Sequence, residues 1–183
     1  MNQSSPVSIL LLLIMAINRV AAIQSSSSAS KGMIFHWFRG TDLRLHDNPA
    51  LDRAVQQCAK TNSNLIPVFC FDPRIFGDSA RSEFGSLKCG PRRAKFVLDS
   101  VADLRQSFES KGSTLLIAYD RPEDFFGRLL KEMKASKVKL YYQDEVCSEE
   151  RAVELKVKKL FDTTEAVWGS TLYDLADLPY ENG

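Results

Sequence analysis

The chain has 183 residues, 44% of them hydrophobic and 26% charged, with a formal net charge of +1. These values fit a folded globular chain and exclude collagen-like, disordered and cysteine-stapled classes. A domain of this length removes roughly 70% of its unfolded surface from water, and little length is left for a second large domain.

The charge is unevenly spread. Residues 1–30 carry only Arg19, so the remainder balances 23 basic against 23 acidic side chains. That balance argues against a chain that grips nucleic acid through bulk electrostatics. Val7 to Ile17 is an apolar run broken only by Ser8. At 1.5 Å per residue it reaches about 16 Å, too short for a bilayer core of roughly 30 Å. Val20-Ala21-Ala22 then offers small residues for cleavage, so residues 1–22 read as a targeting leader. Residues 23–31 read as a flexible serine-rich joint. The expected destination is a plastid, a mitochondrion or the secretory route, with no stable membrane span once the leader is removed.

The body alternates strands and helices. Met33 to Phe38 is a near-continuous apolar run suited to a strand buried on both faces. Asn48 and Pro49 suit the N-cap and N1 positions of a helix running to about Lys60. Leu65 to Phe71 is the second strand, and Asp72 to Gly90 reads as irregular. Pro91 opens a helix with Val97, Val101, Leu104 and Phe108 on one face, closed by Lys111-Gly112. Thr114 to Tyr119 is the third strand. Pro122 starts a helix carrying Phe125, Phe126, Leu129, Leu130 and Met133. Val138 to Tyr142 is the fourth strand. Ser148 is expected to cap a helix with Val153, Val157, Leu160 and Phe161 inward, and Glu149 and Glu150 in its first turn suit the helix dipole. Ala166-Val167-Trp168 is a short fifth strand.

This alternation predicts an α/β fold: a five-stranded parallel sheet of order 3-2-1-4-5 with helices on both faces, Rossmann-like. Strand order then reverses between strands one and four. Ligands in such sheets bind beyond the carboxyl ends of the strands at that reversal. The segments placed there are Arg39 to Asn48 and Gln143 to Glu149, both unusually polar.

Several chemistries are excluded. Only Gly40 follows strand one, where a dinucleotide fingerprint needs three glycines, and no Walker pattern is present. Cys58, Cys70, Cys89 and Cys147 show no metal-ligand spacing, and Cys58 and Cys70 sit in apolar contexts as thiols. His36 and His46 have no evident nucleophile partner, so no catalytic residue and no metal ligand is assigned. Arg39, Asp42, Arg44 and Asp47 are expected to form two Arg–Asp pairs that brace their loop as a structural ion network. Glu145, Glu149 and Glu150 offer carboxylates near the reversal that can accept paired donors from an amino-pteridine or guanine-like ring. Of these, Glu150 reads as plain surface.

The segment from Trp37 through Arg39-Gly40-Thr41-Asp42-Leu43-Arg44 to His46-Asp47-Asn48-Pro49-Ala50-Leu51 resembles the opening of the photolyase/cryptochrome family. Pro67 to Arg74, Ser100 to Arg105, Cys147-Ser148-Glu149-Glu150, Trp168 to Tyr173 and Asp177-Leu178-Pro179 agree in order and spacing. Together they look most like the DASH-type branch. One departure stands out: the family pattern has a single residue between Phe-Arg and Asp-Leu-Arg, whereas Gly40 and Thr41 both intervene here.

The resemblance implies that residues 32–180 are the antenna-side α/β domain and that the C-terminal helical FAD-binding domain is absent from this chain. That domain would be the partner in cis, and any contact with DNA would run through it. The antenna cofactor implied is methenyltetrahydrofolate, held weakly by this chain alone, with its pteridine-facing carboxylate after strand four at Glu149 or else at Glu145. Cofactor-contacting positions are thus Glu149, Glu145, Cys147 and Arg39. The complete protein would be a blue-light, FAD-dependent pyrimidine-dimer repair enzyme or a photoreceptor. The competing expectation is a standalone, non-catalytic α/β binding or interaction module.

Overall fold

Residue alternation in the first strand sets the layering. In β1 (Met33–Phe38), Phe35 and Trp37 point to one face of the sheet and Ile34, His36 and Phe38 to the other, and all five are buried. A strand buried on both faces belongs in the middle of a parallel sheet. In the computed structural model, which describes residues 32–133, 138–171, 177 and 179, β1 does occupy the centre. The leader at 1–22, the joint at 23–31 and the domain end at 180 lie outside the described residues.

The elements follow in order as α1 (Pro49–Thr61), β2 (Asn64–Phe71), α2 (Pro73–Phe76), α3 (Pro91–Ser110), β3 (Leu116–Tyr119), α4 (Pro122–Glu132), β4 (Val138–Gln143), α5 (Ser148–Lys158) and β5 (Thr163–Val167). The strands form one parallel sheet of order β3-β2-β1-β4-β5, the predicted order. Pro67 lies inside β2 opposite His36, but the β3 pairing begins only at Val68, so its missing N–H leaves no gap in that ladder.

One face packs Phe35, Trp37, Leu140 and Tyr142 against Phe126 and Leu129 of α4 and Val157 of α5. The other packs Phe38, Phe69 and Phe71 against Leu51 of α1 and Val97, Val101, Leu104 and Phe108 of α3. Local chemistry fixes the helix ends. The Asn48 side chain accepts from the Leu51 N–H at 3.0 Å, with Pro49 at N1. Gly112 follows the Lys111 cap of α3 with φ of +73°, a conformation that glycine adopts without steric cost.

Four local expectations are corrected. Cys147, not Ser148, is the N-cap of α5: Ser148 is already helical, and no side chain caps the end. That helix stops at Lys158, so Leu160 is exposed beyond it while Phe161 still reaches the core. β5 starts at Thr163 and ends before Trp168; as an edge strand it is half exposed, so its polar Thr163-Thr164-Glu165 start lacks the apolar run that marks buried strands. The 72–90 segment is not wholly irregular. Asp72 caps the single turn α2, and an antiparallel bridge joins Arg81 to Leu87 across Gly85.

Candidate functional site

A cleft of about 570 Å³ opens beyond the carboxyl ends of β1 and β2, with the β4–α5 loop as one wall. Both segments predicted at the strand-order reversal line it: Arg39, Gly40 and Thr41 from one side, and Glu145, Cys147 and Glu149 from the other. Trp37, Phe38, Phe69 and Cys70 supply the floor from the strand ends. Ile75 and Phe76 of α2 add an apolar wall, and Lys88, Arg93 and Lys156 bring positive charge. Glu150 also lines the cleft and is half-buried, which corrects its reading as plain surface.

The predicted site residues are placed as follows. Arg39 is buried, but its guanidinium pairs with Glu154 of α5 at 3.0 Å and stacks 4.1 Å from the centre of the Trp37 ring. It therefore ties the β1 loop to α5 and leaves little of its charge for a ligand. Burial raises the Glu154 pKa and the Arg39 charge opposes that rise. Glu145 is half-buried and accepts from the Thr41 hydroxyl at 2.8 Å. Glu149 is 69% exposed at the rim, and both its oxygens accept from Lys88 Nζ, at 2.6 and 2.7 Å. Cys147 is an exposed free thiol. Cys58, Cys70 and Cys89 are also free, Cys70 being buried and Cys58 half-buried, and burial pushes the Cys70 thiol well above its ordinary range.

Only one of the two expected Arg–Asp pairs forms. Arg44 Nε donates to the Asp47 carbonyl at 2.9 Å, and its Nη2 lies 3.9 Å from the Asp47 carboxylate at the surface. Asp42 instead turns inward. Its Oδ1 accepts the Arg39 backbone N–H at 2.6 Å, Asn48 Nδ2 lies 3.5 Å from its Oδ2, and His36 Nε2 lies 3.8 Å from Oδ2. Asp42 and His36 are both fully buried. Burial pushes the Asp42 carboxyl up to about 7, against the Arg39 and Asn48 hydrogen bonds, and drops the His36 imidazole to about 3. The fold thus keeps Arg44–Asp47 at the surface and turns Asp42 inward beside His36, beneath the cleft loop.

Sequence reasoning missed a second network at the cleft edge. Arg74 bridges Asp72 and Glu123, donating to both Glu123 oxygens at 2.9 Å, and Lys156 reaches Glu123 at 3.4 Å. Hydrogen bonds to Asp72, ahead of those to Glu123, push the Arg74 pKa above its ordinary value. Burial works to raise Glu123, but the bonds from Arg74 outweigh it, and its pKa ends lowered. Arg74 and Glu123 are 49 positions apart in the chain and Glu123 and Lys156 are 33 apart, and no local spacing signals that they meet. Among the described residues, no group of three or more His, Cys, Asp or Glu is arranged to hold a metal ion, and no helix is long and apolar enough to cross a membrane.

A doubly wound sheet with a cleft at its order reversal, lined by apolar side chains, cations and carboxylates alike, defines an α/β domain with an opening where such sheets take their ligands. Comparison with known proteins makes this specific: the family model described as DNA photolyase matches residues 34–183, and the chain belongs to that family. It is 38% identical over 160 residues to the blue-light photoreceptor PHR2 of Arabidopsis thaliana, covering 86% of this chain and 34% of that protein. It is 39% identical over 171 residues to the chloroplastic/mitochondrial cryptochrome DASH of Solanum lycopersicum, covering 82% of this chain and 28% of that one. The crystal structure of the Synechocystis sp. PCC6803 cryptochrome superposes with a TM-score of 0.73 at 34% identity, over 84% of this chain and 31% of that chain. The chain spans about a quarter to a third of the length of these relatives.

Proposed function

We propose that residues 32–180 form the antenna-side domain of a DASH-like cryptochrome or photolyase and that the cleft holds a folate, methenyltetrahydrofolate being the expected form. The observation that carries this reading is the cleft. Its volume of about 570 Å³ suits a small organic cofactor, and its lining matches the parts of a folate. Ile75 and Phe76 of α2, with the strand ends at Trp37 and Phe38 beneath them, form the apolar part of the lining for the rings. Glu149 or else Glu145 offers a carboxylate for the donors of the amino-pyrimidine edge, Glu149 by giving up its pairing with Lys88, Arg93 offers a cation for the glutamate tail, and Cys147 and Arg39 border the ring site.

A bound methenyl-folate would supply light absorption and excitation transfer. The chain's own residues bind and orient it and keep water off its rings, and this domain makes and breaks no bonds. Flavin, and any DNA, would belong to a helical partner region in cis. On that reading the complete protein is a blue-light, FAD-dependent repair enzyme or photoreceptor, and a leader at 1–22 directs it to an organelle or the secretory route.

The test is a titration of 5,10-methenyltetrahydrofolate into the purified chain, followed by its absorbance and fluorescence. Saturable one-to-one binding, weaker than micromolar because the partner region closes the cleft, is the expected result. Linear, non-saturating behaviour up to millimolar folate, or stoichiometric flavin in the purified chain, overturns the reading.

A further inference from the structure

We propose that the β1–α1 loop is a pH-sensitive latch on the cleft: Asp42 holds it shut as a buried acid, and the loop opens when that carboxyl gives up its proton. No ligand takes part, so the inference stands apart from the folate reading.

Arg39, Gly40 and Thr41, at the start of this loop, are cleft wall. Asp42 anchors them. Its Oδ1 accepts the Arg39 N–H at 2.6 Å, and its backbone carbonyl accepts the Arg44 N–H at 2.6 Å and Asn48 Nδ2 at 3.2 Å. The residue is fully buried although it belongs to a loop. The loop has a pivot at each end. Gly40 has open space around it, and Asp47 holds a φ of +51°, a left-handed conformation that a non-glycine residue keeps only under constraint.

Neither arginine of the loop is paired with the Asp42 carboxyl. The Arg39 guanidinium goes to Glu154 of α5 at 3.0 Å. Arg44 Nη2 lies 3.9 Å from the Asp47 carboxylate, and Nη1 donates to the Thr41 carbonyl at 3.3 Å. From the head of α1 comes the neutral Asn48 amide. From β1 comes His36, with Nε2 at 3.8 Å from Oδ2 and neither ring nitrogen hydrogen-bonded among the described residues. The imidazole tautomer can follow the acid proton, but no tautomer supplies a positive charge. His46 and Asp47, both exposed, are the other titratable groups of the loop. An ionised Asp42 is thus a buried charge with no counter-charge, and lifting a short loop to admit water is the smallest motion that relieves it. Burial outweighs the Arg39 N–H, the Asn48 amide and the charges of Arg39 and Arg44, and sets the carboxyl at about 7.

Local opening differs from unfolding in its proton count. A lifted loop leaves His36 inside β1, so only Asp42 changes its proton. Opening then releases one proton between an ordinary 3.8 and about 7, and the opening constant climbs through that interval and levels off above it. Unfolding exposes His36 as well, and its opposite shift cancels the climb.

The test is amide hydrogen exchange by NMR on the full chain from pH 4.5 to 8, each rate divided by its intrinsic value. The Arg39 and Arg44 amides report the loop, and the Phe35 amide in β1 reports the sheet. Protection at Arg39 and Arg44 is expected to fall about fifty- to a hundredfold between pH 4.5 and 6.5 and to level off above 7, while Phe35 changes by less than about threefold. Asp42→Asn keeps an acceptor and cannot ionise, so its loop protection is expected to be flat with pH. His46→Gln is expected to keep the wild-type fall. A flat wild-type profile at Arg39 and Arg44, a fall that persists in Asp42→Asn, or one that vanishes in His46→Gln overturns the latch. Should Asp42→Asn not fold, the wild-type and His46→Gln profiles decide the matter.

Discussion

The buried His36–Asp42 pair has a consequence for stability that the structure lets one calculate. Asp42 sits at about 7 in the folded chain against an ordinary 3.8, and His36 at about 3 against an ordinary 6.5. Asp42, whose pKa is raised, contributes stability that is full below about 4 and lost as pH climbs through 7. His36, whose pKa is lowered, contributes stability that is full above 6.5 and lost as pH falls towards 3. Between about pH 4 and 6.5 the unfolded chain binds one proton on the imidazole and the folded chain binds one on the carboxyl, so the two effects cancel. Removing either partner uncovers the other. At about 1.36 kcal/mol per pH unit, two units amount to on the order of 2.5 kcal/mol.

Asp42→Asn is therefore expected to lose about that much stability relative to the wild type on going from pH 6.5 to 4.5. His36→Leu is expected to gain a similar amount over the same interval. The assay is urea denaturation of the wild type and both variants at pH 4.5, 5.5 and 6.5. Differences from the wild type remove the background from other titrating carboxylates such as Glu123 and Glu154. If both variants track the wild type within about 0.5 kcal/mol across the interval, the proton does not change hands between these two side chains on folding, and the reasoning is refuted.

Two further perturbations test the scaffold. Phe126 is fully buried and makes edge-on contacts with Phe35, Trp37, Phe125 and Phe161, so Phe126→Ala is expected to cost about 3–5 kcal/mol in urea denaturation. Asn48 is fully buried, caps α1 and donates to the Asp42 and Arg44 carbonyls at 3.2 and 3.3 Å. Asn48→Ala is expected to cost about 2–3 kcal/mol, the lost cap adding to the stranded carbonyls, read as a lower thermal midpoint.

Much of this molecule is written in local signals. The two-face burial of β1, the Asn48-Pro49 start of α1, the 3.6-residue spacing from Val97 to Phe108 and the Lys111-Gly112 stop each depend on nearby residues, and each is legible in the sequence. The strand order and the site at its reversal follow from chain alternation and connection rules. β5 was legible only at its apolar end, because an edge strand needs no continuous apolar run.

What only the tertiary structure decided is which charges meet. Four alternating charges on one loop suggest two pairs among themselves, yet Arg39 found Glu154, 115 residues away, and Asp42 turned inward to His36. Thr41 met Glu145 across 104 residues, and Arg74 met Glu123 across 49. Hydrophobic periodicity is a property of a few successive residues, so sequence carries it openly. A side-chain ion pair between distant elements depends on strand register, helix rotation and the burial of each group, and these are set only when the two faces of the sheet pack.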